Sequence, residues 1–215
     1  MNIFGKVGQM FRGDGNDVPP SFDYNGALKV QQFGGKYSEL ARRGLLFNYT
    51  VKTAAAHLIS ATTGNVPTIW NRQGSGKVLY ILGLRENFLS GTTTVGSLQW
   101  CITRNAGSAL GTAAPIVTFT NQDPEPAIDG AGFASVMKFA PAVCTFTAAP
   151  AYLQSAGVNF GAAYPTVNGN PSADYDGAIA IMPGEAISLC YAVTTSTALF
   201  FSTIIAAELP LVDSK

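Results

Sequence analysis

The sequence predicts an all-β chain: an antiparallel β-sandwich with one short helix and an extended N-terminal arm. Short runs rich in Val, Ile, Thr, Phe and Tyr recur along it, separated by clusters of Gly, Pro, Asn and Asp. No helical pattern of about 10–15 residues alternates with them, which argues against a parallel α/β sheet. Glycine and proline number 23 and 12 among 215 residues, so the chain has many places to turn. Roughly nine strands in one body suggest a jelly roll, the common form at that count.

The elements follow in order. Residues 1–23 read as an irregular arm, because Gly13-Asp14-Gly15-Asn16-Asp17 and Pro19-Pro20 break regular structure. The arm still carries Ile3, Phe4, Val7, Met10, Phe11 and, near its end, Phe22. These apolar groups need a neighbouring subunit or the domain body to bury against. Residues 24–215 read as one domain. Ala27–Gln32 alternates as a strand does. Residues 36–43 offer the best short helix, with Tyr37, Leu40 and Ala41 on one side and Gly44 as its stop. Strands are then expected at 45–51, 58–61, 68–71, 78–82, 96–103, 116–120, 136–140, 178–182, 187–193 and 198–208. Residues 121–133 and 148–177 read as long connections, and such loops usually contact something. Residues 186–207 carry no charge, a spanning length for a membrane helix. Seven Ser and Thr residues lie among them, with Thr194-Thr195-Ser196-Thr197 at the centre. A hairpin is the expected reading.

Composition excludes several classes. Only 12% of residues are charged, against about 25% in ordinary domains. The 13 basic residues cancel the 13 acidic ones, so direct nucleic-acid binding is not expected. The arm lacks the Lys and Arg density that neutralises a packaged genome. Disorder would need low hydrophobicity and high net charge. A lone molecule with so few charges is poorly defended against association. Cys101, Cys144 and Cys190 are widely spaced and odd in number, and read as buried small hydrophobes rather than a disulfide framework. No signal peptide is expected from the first residues. The Asn48-Tyr49-Thr50 triplet therefore reads as chance.

Motifs for chemistry are weak. Gly74-Ser75-Gly76-Lys77 lacks the upstream glycine and following Ser or Thr of a phosphate loop, and reads as a turn. Ser172, Asp174, Asp176 and Gly177 imitate half an EF-hand loop, but Pro183 stands where the closing glutamate belongs. The one histidine, His57, sits in apolar surroundings and reads as structural. A triad would need a nucleophile and a carboxylate ordered about it. No catalytic residue, metal site or cofactor is expected.

Three segments carry a resemblance. They are Ala27-Leu28-Lys29-Val30 with the helix at 36–43, Trp70-Asn71-Arg72-Gln73-Gly74-Ser75-Gly76-Lys77-Val78-Leu79-Tyr80-Ile81, and Met182-Pro183-Gly184-Glu185-Ala186-Ile187-Ser188-Leu189. Their order resembles small jelly-roll structural proteins of tailed bacteriophages. The resemblance implies a virion component, such as a head decoration (cement) protein, a minor capsid protein, or part of a tail or fibre. The long spine helix of a main shell subunit is missing, which points to an accessory role. The expectation is a non-enzymatic homotrimer, made in the host cytoplasm, that binds the major capsid protein and stabilises the head. No membrane partner is expected. Phe4, Met10, Phe11 and Phe22 are expected to anchor the arm, and Arg42 and Arg43 to dock electrostatically. Tyr164, Asp174, Tyr175 and Asp176 are expected as contacts on the long loop. Two alternatives remain: a receptor- or glycan-binding module, with Tyr152, Phe160, Tyr164 and Tyr175 stacking on sugars, and a single-jelly-roll coat protein.

Overall fold

The computed structural model describes residues 10–11, 17–18, 36–60, 63–92, 95–104, 116–119, 125–126, 134–146, 149–160, 172–192 and 197–211. The strand expected at 27–32, and Phe4, Phe22 and Tyr164, lie outside the described residues. The chain divides into two units, Met1–Lys36 and Tyr37–Lys215. In the first, β1 (Met10–Phe11) and β2 (Asp17–Val18) pair antiparallel. Met10 and Phe11, expected in an irregular arm, thus lie in a short ladder.

The second unit opens with α1 (Ser38–Arg42). Gly44 ends it as the sequence predicts, at φ 66°. Gly44 N–H donates to Ala41 and Leu45 N–H to Leu40, a Schellman closure. Tyr37, Leu40 and Ala41 pack with Leu46, Leu82 and Ala207, the face their spacing implied. Strands follow: β3 (Leu46–Thr50), β4 (Leu58–Ser60), β5 (Thr63–Asn65), β6 (Thr68–Trp70), β7 (Lys77–Ser90), β8 (Gly96–Thr103), β9 (Ile116–Phe119), β10 (Glu125–Pro126), β11 (Lys138–Ala140), β12 (Val143–Phe146), β13 (Ala151–Phe160), β14 (Ser172–Ile181), β15 (Ala186–Tyr191) and β16 (Leu199–Pro210). Every pairing described is antiparallel.

In the second unit these strands form three sheets, ordered β10-β3-β16-β7-β14, β11-β6-β15-β8-β13 and β4-β5-β12-β9. Within the two larger sheets the pairs are nested. β3 pairs with β16, β6 with β15, β7 with β14 and β8 with β13, so early strands meet late ones in reverse order. Inward side chains of both larger sheets meet in one buried cluster. It includes Phe47, Leu79, Ile81 and Ile204 from the first sheet and Leu98, Trp100, Ile187 and Leu189 from the second. The other face of the second sheet is covered by the small sheet, where Cys144 and Phe146 of β12 pack with Cys101, Ala186 and Cys190. Every residue of β15 is buried, including Ser188, whose hydroxyl meets Thr68 Oγ1 at 2.9 Å, which explains why its sequence shows no inside-outside alternation.

Two expectations about the chain path are corrected. Residues 186–207 do not form a hairpin. β15 lies between β6 and β8, and β16 between β3 and β7, so the run crosses from one sheet to another. Both strands take neighbours distant in sequence, and the apolar run gives no sign of which. Residues 148–177 are not one long loop either, since β13 and most of β14 occupy them. β13 escaped notice because Ala151 to Ser155 are exposed on an edge and carry no inside-outside alternation.

β7 is longer than the 78–82 run, for a related reason. Gly83 pairs with Ile205 and Ile81 with Ala206, leaving Leu82 as a bulge. β14 shifts register at the same point, pairing Asp174 with Gly83 and Ile179 with Ile81. Leu79 and Ile81 face the main core before the bulge, and Leu84 after it, while Leu82 faces α1. The alternation therefore breaks at Leu82, and the inward set moves from odd to even positions.

Gly91 follows β7 at φ 95°, and a side chain there would drive into the Thr197 carbonyl. Gly76, at φ 66°, has open space around it. Gly91→Ala is expected to lower stability by about 3 kcal/mol, and Gly76→Ala by about 1 kcal/mol. Urea unfolding midpoints of the two variants check the difference.

Candidate functional site

The bulge at Leu82 has a direct consequence for chemistry. With parity reversed, Glu86 points into the core, directly opposite Ser202 on β16. The connection after β3 brings His57 to the same place. Ala55 bridges to Phe200, and Val51 N–H donates to Ser202 O. His57 takes a left-handed φ of 56°, held as its carbonyl accepts Tyr191 N–H. His57 Nε2 hydrogen-bonds Ser202 Oγ and lies 3.4 Å from Glu86 Oε1. His57 and Glu86 are fully buried and Ser202 is nearly so.

Serine, histidine and glutamate together invite comparison with a hydrolytic triad. A triad places nucleophile and carboxylate on opposite ring nitrogens. Here both approach Nε2 rather than taking opposite ring nitrogens. No substrate atom reaches a serine this deeply buried. Burial pushes the His57 pKa down to about 3, and pushes Glu86 well above the ordinary carboxylate range. The cluster favours neutral groups.

A second buried carboxylate, Glu208, is treated differently. Its Oε1 accepts from Tyr49 Oη at 2.8 Å and from Ser135 Oγ. Its Oε2 accepts from Val136 N–H at 3.1 Å and lies 3.3 Å from Lys77 Nζ. One carboxylate on β16 thereby ties together β3, β7 and the segment entering β11. Charge-assisted bonds of this kind are the stronger ones. Burial, and then the Glu208 charge, raise the Tyr49 phenol well above its ordinary value.

The Gly-Ser-Gly-Lys segment is a turn, stitched down by Asn71. Its Nδ2 donates to Lys77 O and Ile181 O, and its Oδ1 accepts from Ser75 Oγ. Its main chain bonds the other turn, donating to Glu185 O and accepting from Gly184 N–H. Glu185 in turn accepts from Arg104 Nε at 2.7 Å and from Met182 N–H at 2.9 Å. The two most conspicuous sequence segments are thus one corner of the fold.

The residues singled out for contact fall in separate places. Arg42 and Arg43 are exposed at the end of α1. Asp174, Tyr175 and Asp176 lie on β14 rather than on a loop. Asp174 pairs with Arg85 at 3.0 Å. Asp176, at φ 52°, accepts from Tyr37 Oη at 2.7 Å, which ties the bulged edge to the helix region. Tyr175 turns inward. Its ring meets Trp100 edge-on and its hydroxyl donates to Ala156 O. That ring is therefore engaged in packing, while Tyr152 stays exposed. Among the described residues no group of three or more His, Cys, Asp and Glu could hold a metal ion, and no helix is long and apolar enough to cross a membrane.

The cysteine expectation is corrected for two of the three. Cys101 and Cys190 form a disulfide, with Cα atoms 6.6 Å apart. Ser188 stands opposite Cys101 and Gln99 opposite Cys190, so the cysteines are diagonal neighbours on one face. Their separation of 89 residues hides this in the sequence. Cys144 is a buried free thiol, pushed up to about 11 by burial.

Glu86 and Glu208 were missed as key residues. Glu208 is a single acid within a strand-like apolar run, and that isolation was the available signal; Glu86 stands between Arg85 and Asn87 and carried none. No protein-family model matches the sequence, and no curated protein or solved structure shows significant similarity to it.

Glu208→Ala is expected to cost about 3–5 kcal/mol, since it strands the buried partners of the carboxylate. Denaturant titration measures this directly. Cys144 is expected to resist thiol reagents in the native protein and to react on unfolding. Counting labelled thiols should give none in the native protein, one in denaturant and three after reduction.

Proposed function

We propose that this chain is a non-enzymatic structural subunit of a virus particle, a head decoration protein built as a jelly roll. The nested strand pairing carries this reading. A four-pair antiparallel strip, folded over on itself, gives two sheets in which early strands meet late ones in reverse order. The pairs β3–β16, β6–β15, β7–β14 and β8–β13 follow that scheme. Jelly rolls serve in viral shells, lectins and cupins, so fold alone does not choose among them. Composition and the sequence resemblance favour the shell. A chain with 12% charged residues has little to keep copies of itself apart. Leu89, Val95, Val143 and Tyr152 add more than half-exposed apolar side chains to its surface. The buried His57 cluster, with both partners on one nitrogen, supports a non-catalytic role.

On this reading the protein is a homotrimer. It binds the major capsid protein, with Met10, Phe11, Phe4 and Phe22 anchoring the first unit and Arg42 and Arg43 assisting. A standard interface of about 1,600 Å², repeated over a shell, resists internal pressure.

Light scattering coupled to size exclusion is expected to give three copies, and co-sedimentation with parent capsids to be lost when residues 1–23 are deleted. A lasting monomer that ignores capsids overturns the reading. Full binding by the truncated chain removes the N-terminal segment from the mechanism.

A further inference from the structure

The His57–Glu86–Ser202 cluster is a fully buried titratable cluster that the assembly reading does not use. It joins three separate pieces of chain: the connection at 52–57, β7 and β16. We propose that this cluster is a proton-dependent latch, which holds the connection and the two strands together at mildly acidic pH and loosens as the medium becomes alkaline. The inference stands apart from the virion reading and rests on the buried geometry of the cluster together with the direction in which burial shifts its two titratable groups.

The facing groups bear this out. From β16 come Ser202 and the ring of Phe200, which lies 5.4 Å from His57. From β15 comes Tyr191, whose N–H meets the His57 carbonyl. From β14 comes Tyr175, whose phenol is raised to about 12, by burial first and with a contribution from Glu86. Arg85, next to Glu86, is turned outward to Asp174, and Lys52 on the connection is exposed. None of these facing groups brings a positive charge to stabilise an ionised Glu86.

The sign follows from counting protons. Unfolded, Glu86 loses its proton near 4.5 and His57 near 6.5, their ordinary values. Folded, Glu86 is raised, so its contribution is full below 4.5 and falls as pH climbs toward its folded pKa. His57 is lowered to about 3, so its contribution is full above 6.5 and falls as pH drops. Between 4.5 and 6.5 the two trends cancel, because the folded pair and the unfolded chain hold the same number of protons. Above 6.5 only the Glu86 trend remains. Each further pH unit then weakens folding up to ten-fold, until Glu86 ionises in place. Other carboxylates complicate the acid side, so the alkaline side is diagnostic.

The test is urea unfolding of the full chain at pH 5.5, 6.5, 7.5 and 8.5, beside Glu86→Gln. The wild type is expected to lose up to ten-fold in its folding constant per pH unit above 6.5. Glu86→Gln, which cannot ionise, is expected to flatten that slope. An equal slope in both proteins overturns the proposal. Should the variant fail to fold, NMR of the wild type decides. His57 is the lone histidine, so its ring signals are unambiguous, and glutamate carboxyl labelling reports Glu86. At pH 7.5 Glu86 is expected to keep its proton beside a neutral imidazole. An ionised Glu86 at that pH overturns the latch.

Discussion

Strand β15 is buried along its whole length, because the first large sheet covers one of its faces and the small sheet the other. Fully burying a side chain such as Ile187 or Leu189 contributes about 1.5–3 kcal/mol. Double coverage therefore makes the middle sheet the support for both outer layers. It also explains the chain's composition. A three-layer body has few positions where a charge can sit without a partner, and the charged residues that do enter it are those with buried contacts. The disulfide and the free thiol lie in the same covered layer, between β8, β15 and β12.

Much of this was legible from sequence. The strand at 96–103 is bounded as its residues suggest, and those at 45–51, 68–71 and 198–208 differ from the structure by a residue or two. In each, β-forming residues end at a clear break. The helix was legible because Tyr37, Leu40 and Ala41 share a face and Gly44 supplies a left-handed stop. The failures share a different physics. Alternation reports burial on one face only, so it is silent for β15, covered on both, and for the start of β13, exposed on both. It also misleads at a bulge, which is why β7 seemed to end at Leu82. Glu86 was hidden behind that bulge, and its meeting with His57 and Ser202 spans 145 residues of chain.

The two buried acids show opposite solutions to one problem. Removing a carboxylate from water is costly unless donors replace the water. Glu208 is surrounded by a phenol, a hydroxyl, an amide and an ammonium group, which replace the water it gives up. Glu86 meets one imidazole and one hydroxyl, and its surroundings instead favour keeping the proton. Both lie on or against β16, so one strand carries the support of a charged clamp at one end and a neutral cluster toward the other.

Asn71 uses its amide hydrogens, its side-chain oxygen, its main-chain N–H and its carbonyl to bind both corner turns at once. With every polar atom occupied, the residue behaves like a rivet through two overlapping plates. Neither segment can lengthen, shorten or drift without breaking bonds that the other shares.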